Sequence, residues 1–320
     1  MKAAINATYG APDVVHVVDV PKPIAKADEL LVRVHASTVN RTDIGFRKGK
    51  PYLVRLIGGV LGPKRTILGC EFAGEVEATG AEVRSFALGD RVFGFTGVLM
   101  GGHAEYTCVK ASGAVAIQPP GVGHAQAAPI LEGAHYALND LRASRLQAGQ
   151  HILINGATGA IGSAAVQLAK HFGATVTAVC NHQHVDLVRS LGADVVIDRH
   201  QQDFTTMGGP YDVIFDAVGK SSFGKCRPLL TSKGIYVSTE LGHYWQNIPL
   251  TLITPLFGGR KVIFPIPRLT QTDAIFLRDL VAVGAYKPVI DRHYPLERIV
   301  EAHRYVDSGE KVGNVVVEVG

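Results

Sequence analysis

Residues 14–20, 29–35, 75–78 and 91–95 are short Val-rich runs, each set off by Gly, Pro or Asp, and this spacing predicts β-strands separated by turns. Over the first 120 or so residues the runs add up to a β-rich, partly open barrel. The period changes near residue 123. Apolar residues at helical spacing over 125–146 give way to strands and helices in alternation: strand 151–155, helix 162–172, strand 175–180, helix 185–191, then strands 195–198, 213–217 and 235–238. Alternation of this length predicts an α/β architecture, a doubly wound parallel sheet covered on both faces. A helix over 296–307 precedes the β-branched run 315–319. That last strand needs a partner, and the first β-rich region is the better host. The expected division is a discontinuous domain, 1–122 with 290–320, and a continuous one, 123–289.

Composition narrows the class. The 320 residues are about twice a usual domain, and 47% apolar with 19% charged residues describes a packed protein rather than a disordered one. Lys and Arg number 32 against 28 for Asp and Glu, a formal charge of +4 with no basic run, so nucleic acid is not an expected partner. No stretch approaches the roughly 18–20 apolar residues of a membrane span, and Met1-Lys2-Ala3 leads into an amphipathic segment without a signal core. The expectation is a soluble cytoplasmic protein. Cys70, Cys108, Cys180 and Cys226 lie far apart, with no C-x-x-C pair and no His at ligand spacing. They read as lone thiols of a reducing compartment, and no metal is expected.

Candidate chemistry is clearest at Ile152-Leu153-Ile154-Asn155-Gly156-Ala157-Thr158-Gly159-Ala160-Ile161-Gly162. A buried strand runs into a glycine-rich turn that opens a helix, the context of a dinucleotide site, although the spacing is G-x-x-G-x-x-G. Thr158, Gly159, Ala160 and Ile161 would then face a pyrophosphate. Gly159 lets the backbone approach it, Gly162 lets the helix pack on the strand, and the helix-start amides hold the charge. The next strand ends in Val179-Cys180-Asn181-His182-Gln183-His184, with no acid before Asp186. Nothing there would pair with a ribose 2′-hydroxyl or repel a 2′-phosphate. Asn181 and His184 can donate to such a phosphate, and Arg199 at the end of the third strand adds a permanent charge. The expected cofactor is NADPH.

The chain resembles the medium-chain dehydrogenase/reductases, in particular the zinc-free quinone oxidoreductase branch that includes zeta-crystallin. The resemblance rests on Val39-Asn40-Arg41-Thr42-Asp43, Gly69-Cys70-Glu71-Phe72-Ala73-Gly74-Glu75-Val76, Gly89-Asp90-Arg91-Val92, Gly102-His103-Ala104-Glu105-Tyr106, the glycine-rich turn, Arg189-Ser190-Leu191-Gly192-Ala193-Asp194, Asp212-Val213-Ile214-Phe215-Asp216-Ala217-Val218-Gly219 and Gly313-Asn314-Val315-Val316. It implies a GroES-like barrel joined to a Rossmann domain. The zinc-dependent branch of that superfamily has a Cys where this chain has Asn40 and a His where it has Cys70, so both ligands are missing, and so is the four-Cys structural lobe. Without a Lewis acid, alcohol oxidation loses its electrostatic help. A quinone or an enone needs only hydrogen-bond donors for the charge that develops on oxygen.

Site residues follow from the resemblance one by one. It places Asn40 near the nicotinamide, with Asp43 shaping the same loop; a purely capping Asn40 is the alternative. Tyr52 stands near, but not at, the family's substrate-contact tyrosine. His135 occupies a family threonine position, as donor or proton relay, or else as a structural helix-start histidine. Val218, Leu241 and Phe264 border the cofactor, and Asn314 replaces a frequent lysine. The apolar segment 244–268 forms either a homodimer face or ordinary core. The apolar and basic stretch 47–64 covers a small hydrophobic acceptor, with contact to a membrane surface as its alternative. Two further functions stay open: a zinc-free alcohol or ketone oxidoreductase, and an NADPH-binding protein with a sensing, structural or RNA-contacting role and little turnover.

Overall fold

Alternation and β-branching put five strands into the first hundred residues. In the computed structural model, which describes residues 1–320, the chain forms β1 (Lys2–Asn6), β2 (Val15–Asp19) and β3 (Glu29–Val39), then α1 (Arg41–Lys48) and α2 (Val54–Gly58). Strands β4 (Glu71–Thr79), β5 (Arg91–Phe95), β6 (Tyr106–Lys110) and β7 (Ala114–Ile117) follow, with helices α3 (His124–Ala127) and α4 (Glu132–Ala143) after them. The alternating stretch begins with β8 (His151–Asn155), α5 (Ala160–His171), β9 (Thr175–Cys180), α6 (Val185–Ser190) and β10 (Val195–Asp198). It continues through β11 (Tyr211–Asp216), α7 (Phe223–Cys226), β12 (Leu230–Ser238), α8 (Asn247–Ile253) and β13 (Lys261–Ile263). The last elements are α9 (Gln271–Ala282), β14 (Ile290–Pro295), α10 (Ile299–Ser308) and β15 (Asn314–Glu318). No helix is long and apolar enough to cross a membrane.

The chain divides into two compact units. The first comprises Met1–Glu132, Leu269–Gly284 and Pro288–Gly320, and the second Gly133–Arg268 with Ala285–Lys287. Residues 123–132 and helix α9, which the sequence pattern groups with the nucleotide-binding half, thus fall in the first unit. The predicted continuous helix over 125–146 is broken: Pro129 has a non-helical backbone (φ −85°, ψ 16°) between α3 and α4, as expected where a ring removes an amide donor and crowds the preceding turn.

The first unit is built around β3. Strand β4 runs antiparallel along one edge of it, while the other edge is shared, β6 pairing with residues 29–33 and β15 with residues 36–39. The full order is β14-β15-β3-β4-β5-β7. The terminal β-branched run therefore pairs with the N-terminal sheet, as its sequence suggests. Register slips between Val34 and Ala36 and between Leu31 and Val32 mark bulges that bend the long strand and re-aim side chains. Val32, Val34, Phe72, Val92, Val315 and Val317 make a core against Ile299, Ala302 and Val306 of α10.

The second unit is a six-stranded parallel sheet in the order β10-β9-β8-β11-β12-β13. Ile152, Leu153 and Ile154 are completely buried, so β8 reads as a continuous apolar run because both faces are covered. The fold is a GroES-like β unit plus a Rossmann-type parallel sheet.

Within the first unit, Arg47 is completely buried. Its Nη1 donates to Gly10 O (2.8 Å) and its Nη2 to Asp307 Oδ2 (2.9 Å), joining α1 to α10. Lys48 also pairs with Asp307, so the carboxylate keeps one cation if the arginine is removed. Arg47→Met should lower stability by about 2–3 kcal/mol, measured by urea unfolding; a loss below about 0.5 kcal/mol would contradict this account.

Candidate active site

The second unit carries the dinucleotide features. Strand β8 turns at Gly156, whose φ of +85° suits glycine and whose absent Cβ would stand 2.4 Å from Val218 Cγ1. At Gly162 a Cβ would lie 2.1 Å from Gly156 O, whereas at Gly159 the nearest atom is 3.8 Å away. Gly162 is thus required for close strand–helix packing, and Gly159 leaves open backbone, as a bound pyrophosphate needs. Gly159 caps α5, and the first amides of that helix have no acceptor one turn back. Thr158, Gly159 and Ile161 are half-buried and Ala160 is buried. These features fit a dinucleotide.

The remaining strand ends line the same side of the sheet, where ligands of doubly wound folds bind. Asn181 follows β9, Arg199 follows β10, Val218 lies just beyond β11, Leu241 beyond β12, and Phe264 follows β13. The ends are organised by a residue the sequence pattern did not flag. Asp216, completely buried, accepts from Asn155 Nδ2 (3.0 Å), Tyr236 OH (3.1 Å), Ser221 N (2.8 Å) and Val218 N (3.3 Å). Its signal was a carboxylate ending an otherwise apolar strand, Val213-Ile214-Phe215-Asp216.

At the end of β9 the structure adds an acid that linear order conceals. Asp198 of β10 pairs in register with Cys180. Its carboxylate accepts from His200 N (3.0 Å) and from His182 Nδ1 (3.0 Å), contacts that hold it below the usual aspartate range. The ribose end is therefore an anion already engaged by His182, beside exposed Arg199 and half-buried Asn181 and His184.

The first unit gathers Asn40, Asp43, Cys70, Glu71 and Glu132. Asn40 is the N-cap of α1: its Oδ1 accepts from Asp43 N (3.2 Å), and Asp43 Oδ2 returns a bond to Asn40 N (2.9 Å). Asp43 Oδ1 also accepts from Gly69 N (2.9 Å), fixing the turn before Cys70. Asn40 Nδ2 donates to Cys70 Sγ (3.1 Å). Beside them, Glu71 Oε1 accepts from the amides of Leu131 (3.0 Å) and Glu132 (2.6 Å), and Oε2 from Thr38 Oγ1 (2.8 Å). Thr42 donates to Glu132 Oε1 (2.8 Å). Burial pushes all three acids up, Asp43 to about 7, Glu71 to about 8 with help from the Glu132 charge, and Glu132 to about 7. Lys311 adds a cation whose charge favours ionised Glu132.

The other expected residues are more dispersed. Tyr52 is 69% exposed, with the Arg55 guanidinium 5.2 Å from its ring centre. His135 is buried in α4, its ring 4.3 Å from that of Tyr136. It lies two residues beyond Gly133, where a Cβ would be 2.7 Å from the Ala160 carbonyl, so α4 starts beside the glycine turn. Asn314 spends its Nδ2 on Val289 O (2.9 Å), and its buried Oδ1 has no partner.

Because folding raises Glu71 from an ordinary 4.5 to about 8, the folded chain holds that proton more tightly than the unfolded one. Its contribution is complete below about pH 4.5 and is lost as pH rises toward 8. Glu71→Gln removes this titration and keeps an oxygen for the two amides. Unfolding free energy should then fall less steeply between about pH 5 and pH 8 than in the wild type; equal slopes in urea titrations would count against it.

Comparison with known proteins agrees with this geometry. Residues 26–119 match the alcohol dehydrogenase GroES-like domain, and residues 191–317 the zinc-binding dehydrogenase family. The chain is 31% identical over 330 residues to the NADPH-dependent alkenal/one oxidoreductase, chloroplastic, of Arabidopsis thaliana, covering 99% of this chain and 79% of that protein. It is 30% identical over 331 residues to the chloroplastic quinone-oxidoreductase homolog of Spinacia oleracea, covering 97% and 95%. The solved quinone oxidoreductase from Coxiella burnetii aligns over 100% of this chain and 99% of that one, with a TM-score of 0.90 and 26% identity. The zinc in the second family's name does not fit the donors at Asn40 and Cys70. Burial and neighbouring acids push the thiol well above its ordinary range, and the amide facing it offers N–H rather than a lone pair. With both halves matched and nearly its whole length shared with these relatives, the chain belongs to the medium-chain dehydrogenase/reductase superfamily, in its quinone oxidoreductase branch.

Proposed function

We propose that this protein is an NADPH-dependent, zinc-independent reductase of quinones or α,β-unsaturated carbonyls, working in the cytoplasm as a homodimer. The carrying observation is the glycine turn, closed at Gly162 and open at Gly159, in a chain whose relatives are named for that chemistry. NADPH bound there would supply the hydride. The amides opening α5 would hold the pyrophosphate, and Asn181, His184 and Arg199 would hold the 2′-phosphate, with Asp198 already engaged by His182. Val218, Leu241 and Phe264 would border the cofactor, and Asn314, in the first unit, is the remaining candidate cofactor residue.

Asn40 Nδ2 meets the negative charge that develops on the acceptor oxygen. Its present partners are Cys70 Sγ (3.1 Å), a weak acceptor, and Thr38 Oγ1 at a long 3.4 Å, so an oxyanion would compete for the amide on favourable terms. Asp43 keeps Asn40 in place through the capping pair, and His135, in the second unit, is the candidate donor or proton relay. Tyr52, Leu53, Leu56, Ile57, Val60 and Leu61 are all exposed and present the apolar surface for a hydrophobic acceptor. Support for the dimer comes from β13, the outer strand of its sheet, and from the apolar residues near it: Tyr244 is 89% and Phe257 82% exposed, with Leu252 and Leu256 also at the surface. Within segment 244–268, Val262 is core and these exposed side chains are what a dimer face would use. Four unpaired cysteines suit a reducing compartment.

The first test is the initial rate of NADPH oxidation in EDTA, with a quinone panel beside an enal and enone panel, repeated with NADH. NADPH should win by at least tenfold, about 1.4 kcal/mol, with turnover unaffected by the chelator. Cofactor binding without turnover, or activity lost in EDTA, would overturn the reading. Asn40→Ser keeps a capping oxygen but its shorter hydroxyl does not reach the position of the amide Nδ2, whereas Asn40→Ala loses both cap and donor. Both variants should lower kcat roughly 100-fold, while only Asn40→Ala also loses about 1 kcal/mol of stability. Full activity in Asn40→Ser would make Asn40 a capping residue alone.

A further inference from the structure

Outside the residues discussed so far, three potential ligands converge on the first unit. We propose that His35, Glu75 and His124 form a site for one divalent transition-metal ion of the zinc class, separate from the Asn40–Cys70 position. One donor atom from each of the three lies within 4.8 Å of the others. Glu75 Oε2 is 4.0 Å from His35 Nε2, and Glu75 Oε1 is 3.8 Å from His124 Nε2. A triangle of this size contracts by well under an ångström per ligand to reach bonds of roughly 2.0–2.2 Å.

The fold presents these groups for specific reasons. His35 falls at the register slip between Val34 and Ala36, so a bulge turns it out of the ordinary alternation of β3. Its Nδ1 lies 3.2 Å from Gly320 O, which places the ring proton on Nδ1 and leaves a lone pair on Nε2. That Nε2 is buried and has no hydrogen-bond partner. A carbonyl holding the far nitrogen of a ligating imidazole is the usual outer support of a metal site. Glu75 comes from the adjoining β4, and His124 opens α3, its ring stacked on that of His35 with centroids 4.6 Å apart and planes 19° from parallel.

His124 sets the affinity. Gln118 Nε2 stands 2.7 Å from His124 Nδ1, so in this arrangement the His124 proton sits on Nε2, the nitrogen facing Glu75. Binding moves that proton to Nδ1 and turns the Gln118 amide over, so that Oε1, now buried without a partner, accepts it. The Gln118 bond to Val92 O (2.9 Å) is given up, and the stacked rings tilt toward each other. A site with this reorganisation binds less tightly than a structural zinc centre. Two imidazole nitrogens and one carboxylate select zinc, cobalt, nickel or copper over magnesium and calcium, which require oxygen ligands.

The test uses the full chain stripped with EDTA and dialysed, then titrated with Zn²⁺ or Mg²⁺ by calorimetry. One Zn²⁺ per chain should bind and raise the melting temperature, with no response to Mg²⁺. His35→Gln, Glu75→Gln and His124→Gln should each weaken Zn²⁺ binding at least tenfold while keeping the metal-free melting temperature. Cys70→Ser should leave binding unchanged, and Co²⁺ should give visible bands without thiolate charge transfer. Binding that survives in all three histidine and glutamate variants, binding lost in Cys70→Ser, or no saturable Zn²⁺ binding would each overturn the proposal.

Discussion

A carboxylate taken out of water must be given donors or a proton, and the first unit is organised around one that has both options. Glu71 is fully buried and gathers a hydroxyl from β3 and two consecutive backbone amides at the start of α4. Those contacts fix the beginning of β4, and with it the Cys70 thiol and the Asn40 amide that donates to it. Asp216 does the same work in the second unit, collecting a side chain from β8, a phenol from β12 and two amides of the loop beyond β11. Each unit thus uses one buried acid to set the backbone around the groups proposed to bind ligands. The cost of burying such an acid is tolerable only with its donors in place, which makes these loops specific in conformation.

The sequence disclosed the parts whose physics is local. The glycine turn, the parallel strands and the terminal strand's need for a partner all follow from periodicity and from what glycine permits. A capping role for Asn40 was legible from its residue type, while its reciprocal bond with Asp43 emerges only in the structure. What stayed hidden depends on pairing register. Asp198 sits eighteen positions beyond Cys180 in the chain and beside it in the sheet, so a search for an acid along the second strand alone misses it. His35, Glu75 and His124 meet only because β3 carries a bulge and α3 begins where it does. Glu71 looked like one more polar residue in a strand that also contains Glu75 and Glu77, and only burial separates it from them.

The chemistry of the two units differs in kind. In the second, glycines and helix-start amides bind charge through the backbone, so function there rests on small residues that leave space. In the first, the groups near Asn40 are largely paired with one another, and the acids among them are poised near neutrality rather than fully charged.

The sharing of one β3 edge between β6 and β15 has a consequence for the order in which the protein is made. The second unit is almost continuous, Gly133–Arg268 with three later residues, so nearly all of it has left the ribosome while β14, α10 and β15 are still unmade. Until residues 315–318 emerge, residues 36–39 of β3 lack their partner on that side, leaving a Val- and Thr-containing strand edge open to any other extended segment. The second unit can therefore complete its sheet during synthesis, while the first must wait for residues 315–318. That interval is when the strand edge of residues 36–39 is most exposed to pairing with neighbouring chains.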